Sequence, residues 1–122
     1  MVKHLDNMYC AAIRRGDVVL CSEKDKEQLY VVLQDDVLNQ SLPTMVCVPV
    51  EIYKKGDEVL VNEVLLKKGE TGLGSDSVCF LHKVITIERV HVVAKKAELK
   101  KERVQELLHA LDITLGRFRD RN

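Results

Sequence analysis

The sequence has no tryptophan, only three tyrosines and two phenylalanines, and no long apolar segment among its 122 residues. A helix that spans a bilayer needs about 20 consecutive apolar residues, so we expect no membrane-spanning segment. The N-terminus also lacks the basic start and apolar block of a signal peptide, which favours a cytoplasmic location. The 19 basic and 19 acidic residues cancel, so overall charge gives no reason to expect nucleic acid as a partner.

Motifs that hold metals or cofactors are also missing. The four cysteines form no CxxC pair, and Cys21, Cys47 and Cys79 lie within apolar runs, where cysteine behaves as a small buried hydrophobe. The four histidines are scattered, unlike the ligands of a zinc site. The segment GLGSD lacks the third glycine and the following helix of a dinucleotide-binding loop and is more typical of a turn. We therefore expect buried thiols, no metal and no cofactor.

The length and pattern of the chain predict a single domain of strands followed by a helix. Chains split into several domains only beyond roughly 250–300 residues, and 46% apolar residues are enough for one core. Short β-branched runs between turn residues predict strands at 18–21, 29–33, 45–50, 58–66, 77–81 and 83–87. Pro49 indicates an edge strand or a bulge. We interpret residues 1–13 as a loose N-terminal arm and residues 14–122 as the domain.

The C-terminal part changes to a helical period. An apolar stripe with helical spacing predicts a helix over residues 98–115, with Gly116 as its C-cap; the stripe comprises Val104, Leu107, Leu108, Leu111 and Leu115. The charged segment KKAELKKERVQE within it is more typical of a solvated helix face than of a nucleic-acid patch. The expected fold class is mainly β with α: a curled antiparallel sheet of five to seven strands with one closing helix.

Four motifs, in this order, resemble the MazF/PemK toxin family over residues 14–116. They are RRGDVVL at the first strand, VVLQDDVLNQSLPT after the second, GLGSDSVCFLHKVITIERV before the helix and ELLHALDITLG at its end. The resemblance implies an SH3-like or CcdB-like small β-barrel with a C-terminal helix. It also implies a homodimer, metal-independent cleavage of single-stranded RNA at short sequences, and a cognate antitoxin peptide that wraps and inhibits the dimer.

Two positions depart from the family pattern. Counted back from VLQDD, the position of the family's catalytic arginine holds Gln28, and its following proline is replaced by Leu29. Seven residues after Thr44, the position of the family's catalytic threonine or serine holds Glu51. The loop before the second strand is also shorter and contains no glycine. A neutral amide cannot supply the bidentate positive charge that arginine gives to a phosphate.

Cleavage of RNA through its 2′-hydroxyl requires a base for that proton, an acid for the leaving 5′-oxygen and positive charge for the transition state. Our candidate catalytic residues are Lys26, Gln28, Glu51 and His82. Glu51 is the expected base, His82 the acid, and Lys26, or alternatively Lys83, the source of charge. The candidate RNA-binding residues are Arg15, Lys24, Lys54 and Lys83.

A second hypothesis stays open at this point. A carboxylate at position 51 repels a phosphodiester, and lysine is a point charge on a flexible stem, unlike the rigid fork of arginine. On this hypothesis the chain is a homologue that binds antitoxin or nucleic acid without cleaving RNA.

Overall fold

The computed structural model describes residues 9–117 and residue 119. The strands are β1 (Asp17–Glu23), β2 (Lys26–Val32), β3 (Thr44–Ile52), β4 (Glu63–Leu66), β5 (Ser77–Phe80), β6 (Ile85–Glu88) and β7 (Val92–Glu98). The helices are α1 (Asp36–Ser41) and α2 (Lys101–Leu115), and 3-10 turns cover Leu81–Lys83 and Arg89–His91. Within the described ranges, neither helix is long and apolar enough to cross a membrane.

All strand pairs are antiparallel, and the order across the sheet is β4-β5-β3-β2-β1-β7, with β6 paired to β3 next to β5. The expected fold class is confirmed in its strand number, strand direction and C-terminal helix. The barrel is not closed by strand pairing, because β4 and β7 are not paired with each other in the described part of the chain. Helix α2 packs on β4 and on the 3-10 turn Leu81–Lys83, and its Leu107 is fully buried in a core cluster with Val18 of β1 and Leu66 of β4.

Helix α2 matches most of the predicted apolar stripe, although Leu115 at its C-terminal end is exposed. Val104 and Leu107 are buried, and Leu111 packs against the same core. Gly116 has φ +68° and its N–H donates to the last carbonyls of the helix, which confirms the predicted left-handed C-cap. The helix begins at Lys101, three residues after the predicted start.

The strand prediction is wrong at the start of β4 and at β7. Residues 58–62 lie outside β4 because Glu63 N donates to the Leu60 carbonyl and the Glu63 carboxylate accepts from Leu60 N, which makes a turn. Strand β7 was not predicted at all. Strand β7 pairs with β1 with two register shifts, and most of its side chains are only half-buried. Its sequence therefore shows neither a regular alternation of apolar and polar residues nor a continuous apolar run.

The short charged loop between β1 and β2 is a two-residue hairpin turn. Lys24 and Asp25 have φ of 52° and 66°, and Glu23 and Lys26 pair across them. Positive φ at both central residues is the geometry of a type I′ turn, whose twist fits that of the two strands. The hairpin therefore needs neither glycine nor a longer loop.

Strand β3 lies in the middle of the sheet, so the expected edge position of Pro49 is wrong. On one side β3 pairs with β2; on the other it pairs with β6 through Thr44–Cys47 and with β5 through Val50–Ile52. Pro49 therefore lies where β3 changes from β6 to β5. Neither strand pairs with β3 at this residue, so the missing N–H of proline breaks no ladder hydrogen bond.

The segment after β2 is held by two buried amides. The Gln34 side chain donates to Asn39 Oδ1 and to the Thr44 carbonyl, and it accepts from Val46 N. Asn39 returns a hydrogen bond to the Gln34 carbonyl. Asp35 caps α1 by accepting from Val37 N. The motif QDDVLNQSLPT is thus a structural connection that joins α1 to the start of β3.

The other expectations concern the arm and the cysteines. Residues 1–8 lie outside the described residues, whereas Tyr9 N donates to the Val92 carbonyl and Ile13 is buried in a second core cluster. Tyr9 and Ile13 therefore hold this segment against the sheet. The three thiols of the apolar runs are buried as expected, and burial raises the pKa of Cys21 to about 11 and of Cys47 and Cys79 to about 12.

Gly16 provides the first stability prediction, because it has φ +94° and its Cβ would lie 2.8 Å from Val104 Cγ2. We expect Gly16→Ala to lower the free energy of unfolding by about 2 kcal/mol or more, from positive-φ strain together with a steric clash. Gly56→Ala is the matched control, because Gly56 has φ +97° but no neighbour within 4 Å of its Cβ. Urea denaturation that shows equal losses for both variants would contradict the proposed packing of Gly16 on α2.

Glu70 provides a pH-dependent prediction. It lies in the loop between β4 and β5, and Arg103 of α2 binds it through two hydrogen bonds of 3.0 and 3.1 Å. Burial raises the pKa of Glu70, but hydrogen bonds from Arg103 and from Lys67 N outweigh it and hold the pKa below 4.5. Glu70 therefore adds stability above its unfolded-state pKa, and this is lost as the pH falls through its folded-state pKa.

We expect Glu70→Gln to cost about 1 kcal/mol at neutral pH, the upper end for an accessible ion pair because the arginine is bidentate. The difference between variant and wild type should vanish at pH well below 4.5. Glu27→Gln, at an exposed position of β2, is the control. A difference for Glu70→Gln that persists in acid would show that charge pairing is not the cause.

Candidate active site

Five side chains share one face of the sheet, which we call the site face. Side chains alternate along a strand, so Lys26, Gln28 and Tyr30 of β2 point to the same side. Cys47 of β3 packs in the same core cluster as Tyr30, and alternation carries Glu51 to that side as well. Val78 of β5 lies opposite Glu51, which places Phe80 there too. Lys26, Gln28, Tyr30, Glu51 and Phe80 thus define the site face.

The structure brings together the two positions that the resemblance assigns to catalysis. The backbone N–H and C=O groups of Val46, Val48 and Val50 point towards β2. The pairing of β2 with β3 ends at Pro49, so the Val50 carbonyl has no partner in the β2 backbone. Gln28 fills the gap: its Nε2 donates to the Val50 carbonyl at 2.8 Å and to the Leu29 carbonyl at 2.9 Å. The amide is consequently fixed next to the residue that precedes Glu51, and it adds no charge.

The cation in contact with Glu51 is Lys83, and not Lys26 as we expected. Lys83 Nζ lies 2.8 Å from Glu51 Oε2, and the same ammonium lies 4.9 Å from the centroid of the Phe80 ring. Both partners of the ion pair are accessible, with 45% and 36% of their side-chain surface exposed. A base and a cation are therefore available together to a ligand on the site face.

His82 precedes Lys83 on the 3-10 turn that follows β5. Its ring lies 5.9 Å from the Phe80 ring, and its Nδ1 lies 3.4 Å from Asn62 Nδ2. The exposed imidazole and the Lys83 ammonium thus flank the same aromatic side chain.

Lys24 and Lys26 lie in a separate concavity on the site face. This first cavity has a volume of about 590 Å³, and Gln28 forms part of its wall. Tyr30 also lines it; burial and then the neighbouring Cys21 and Cys47 raise the pKa of Tyr30, so its phenol is neutral and able to donate and accept hydrogen bonds. The remaining wall comprises Cys21, Glu23, Glu27, Ile85, Thr86, Ile87, Glu88 and His91.

A second cavity of about 230 Å³ lies on the other side of Glu51. Its walls are Tyr53, Asp57, Glu58, Val59, Glu63, Val78 and Phe80. Lys54 is exposed and begins the turn that forms one wall, since Asp57 N donates to its carbonyl.

Arg15 is the candidate that the structure does not bring to the site face. Its Nε donates to the Leu33 carbonyl, and its backbone N donates to Asp36 at the start of α1. Arg15 lines neither cavity. Among the described residues, no group of three or more His, Cys, Asp or Glu side chains is suited to hold a metal ion.

The aromatic side chains of the site were not among the residues predicted from the sequence. Tyr30, Tyr53 and Phe80 each line one of the two cavities, although the chain has only five phenylalanines and tyrosines. Their scarcity is the signal that was available: an aromatic residue on the solvent side of a strand is unusual where Val, Leu and Ile build the core.

Two characterised relatives carry the name Endoribonuclease MazF. The protein of Staphylococcus saprophyticus is 27% identical over 111 residues, and that of Staphylococcus epidermidis is 29% identical over the same length. Each alignment covers 85% of this chain and 92% of the relative.

Solved structures show the same fold. A mycobacterial endoribonuclease in complex with its cognate antitoxin superposes with a TM-score of 0.73 at 15% identity, over 86% of this chain and 96% of the other. The MazE–MazF complex of Deinococcus radiodurans gives 0.71 at 18% identity, over 88% and 98%.

The family comparison covers most of the domain. The sequence profile described as PemK-like, MazF-like toxin of type II toxin-antitoxin system matches residues 14–115. This span includes every strand, both helices and all the candidate residues of the site face. The chain belongs to the PemK-like, MazF-like family of toxins of type II toxin–antitoxin systems.

Proposed function

We propose that this toxin is an endoribonuclease that cleaves single-stranded RNA at the Glu51–Lys83 pair. The supporting observation is the 2.8 Å contact between a carboxylate and an ammonium at the family's catalytic position in β3. The names of the staphylococcal relatives agree with this activity. We further propose that the toxin is cytoplasmic, where RNA is its substrate.

The chemistry assigns one role to each side chain. Glu51 accepts the proton of the ribose 2′-hydroxyl, whose oxygen then attacks the adjacent phosphorus. The bond from phosphorus to the 5′-oxygen breaks, and that oxygen takes a proton from His82. Lys83 supplies the positive charge that stabilises the dianionic transition state. The products are a 2′,3′-cyclic phosphate and a 5′-hydroxyl, and no metal is needed.

The first cavity supplies a path for the RNA backbone. Lys24 and Lys26 stand at its rim, and Tyr30 offers a ring on which an unpaired base can stack. Gln28 is then a positioning residue that holds the Val50 carbonyl, and thereby the backbone before Glu51. Arg15, which is bonded to the Leu33 carbonyl, has no part in this path.

A second candidate function is binding of antitoxin or nucleic acid without cleavage. The observation that favours it is the neutral amide of Gln28 at the position of the family's arginine, with its donors already satisfied by backbone carbonyls. Loss of that charge removes a bidentate phosphate contact.

The expected assembly is a homodimer that binds an antitoxin peptide. Two of the structures with this fold, the mycobacterial and Deinococcus proteins, are complexes of a toxin with its antitoxin. Closed two-fold dimers are the commonest assemblies of small soluble proteins.

The activity prediction concerns Glu51 and Lys83. Glu51→Gln should slow cleavage of a single-stranded RNA by about 100-fold or more, because the base is lost. Lys83→Met should slow it by a similar factor, because the transition-state charge is no longer compensated, whereas Lys83→Arg should retain most of the rate. Gel analysis of end-labelled RNA measures the rate and shows whether the product carries a cyclic phosphate.

The control is Lys101→Met, at the exposed first residue of α2, which should leave the rate unchanged. If pure wild-type protein binds the RNA but leaves it intact in the presence and absence of chelator, the binding function replaces the endoribonuclease. If cleavage occurs but survives Glu51→Gln, another group is the base.

The assembly prediction is a dimer that buries about 1,600 Å² in total, the usual size of a stable protein interface. Static light scattering of the isolated toxin at micromolar concentration should give twice the 13.9 kDa mass of the chain. A monomer under these conditions would contradict the proposed assembly.

A further inference from the structure

The second cavity has no part in the cleavage chemistry, yet it adjoins the reacting groups. Val78 lies in its floor and is the cross-strand neighbour of Glu51, about 5 Å away across the sheet. Phe80 forms one of its walls and carries the Lys83 ammonium over its ring. A group bound in this cavity therefore lies next to the phosphate that Glu51 and Lys83 would contact.

The aromatic walls are held in place by backbone contacts. The Tyr53 hydroxyl donates to the Asp57 carbonyl at 2.7 Å, and Tyr53 N donates to the Asp76 carbonyl. Phe80 is fixed by its strand and is flanked by His82 and Lys83. At about 230 Å³, the cavity is smaller than the roughly 300–1,000 Å³ of pockets for drug-sized ligands, and the aromatic side chains in its lining suit one planar ring.

The charged side chains in the cavity wall are all carboxylates. Glu63 lies opposite Phe80 in the ladder and is half-buried, and its Oε1 accepts from Leu60 N. Its Oε2 remains available to a ligand. Asp57 and Glu58 add two more carboxylates at the exposed side. Ionised carboxylates accept hydrogen bonds and donate none.

We propose that the second cavity is a nucleobase subsite that selects guanine next to the cleaved phosphate. This inference rests on the proposed endoribonuclease function. Guanine presents N1–H and N2–H₂ side by side, which match the acceptors of Glu63. Uracil presents two carbonyl oxygens around a single N–H, and these oxygens face the carboxylates unfavourably. Cytosine and adenine each offer one amino group and are intermediate.

The charge of the cavity is compatible with a base but not with a phosphate. The walls of the second cavity hold three carboxylates and no lysine, so they repel the RNA backbone, whereas in the first cavity Lys24 and Lys26 accompany the three carboxylates. Lys83, Lys54 and Lys55 lie beside the second cavity and outside its walls. The base is expected inside, stacked between Tyr53 and Phe80, while the backbone passes along the lysines. Base stacking on aromatic side chains accepts every base, so selection is assigned to Glu63.

The test measures binding without cleavage, using fluorescein-labelled 2′-O-methyl oligoadenylates that carry one central guanosine, inosine or uridine. Fluorescence anisotropy with the wild-type toxin should give an affinity about ten-fold higher for guanosine than for uridine, the discrimination typical of a paired hydrogen-bond contact to a base. Inosine, which lacks the N2 amino group, should be intermediate. Glu63→Gln should remove most of the preference, and Phe80→Leu should weaken binding of all three oligonucleotides.

Glu63→Gln keeps the Oε1 acceptor that Leu60 N requires, so the variant is expected to fold, and its thermal unfolding is measured alongside. Glu102→Gln, at an exposed position of α2, should retain the full guanosine preference. Equal affinity of the wild type for guanosine and uridine would overturn the guanine subsite while leaving the endoribonuclease function intact. Failure to bind any oligonucleotide, together with failure to cleave RNA, would overturn both.

The acidic and aromatic walls are also suited to a cationic side chain, and the same variants decide between the two ligands. An arginine-containing peptide is titrated against the wild type and Glu63→Gln in the same assay. If the peptide loses affinity in Glu63→Gln while the oligonucleotides show no guanosine preference, the cavity belongs to a protein partner and the nucleobase proposal is wrong.

Discussion

The structure depends on a proline in the central strand of its sheet. Pro49 cannot donate a backbone hydrogen bond, so β3 has no partner at this point on the side away from β2 and passes from β6 to β5. The pairing with β2 ends at the same residue, which leaves the Val50 carbonyl for the side chain of Gln28. Glu51 follows directly and comes opposite Val78. Pro49 thus lies where β3 changes its partner, two residues before the candidate base.

The exposure of the Glu51–Lys83 pair is a functional advantage, although it adds little stability. Ion pairs this accessible contribute about 0–1 kcal/mol, so a phosphate can take Glu51's place beside the ammonium at small cost. Release from Lys83 also leaves the carboxylate free to accept a proton. A deeply buried pair would hold both groups in their resting contact, because separating buried charges costs several kcal/mol. In the proposed mechanism, Lys83 exchanges one acceptor, the Glu51 carboxylate, for another, the phosphate.

The sequence predicted the fold better than the site, and the reasons are physical. The stripe that includes Val104 and Leu107 has the period of one buried helix face, so α2 was evident. Strand β7 was missed because most of its side chains are only half-buried. Half-buried positions accept both apolar and polar residues, so the sequence shows no alternation with a period of two. Gln28 and Glu51 were located by position within a motif. The contact between Lys83 and Glu51 was not predictable, since it joins residues 32 positions apart and depends on where β5 lies against β3.

The family resemblance survives the loss of two catalytic residues because different groups determine the fold and the chemistry. The motif after β2 acts through buried amides: Gln34 and Asn39 bond to each other, and Gln34 also bonds to the backbone of β3. An unpaired amide there would cost about 1–3 kcal/mol. Gly16 is constrained by sterics, because a Cβ at this position would clash with Val104. Glu51 and Lys83 instead contact each other at the surface, and His82 contacts Asn62, so these side chains hold no buried group in place. The scaffold therefore tolerates a new set of charges at an unchanged place, and the chemistry of the site has to be derived from its own side chains.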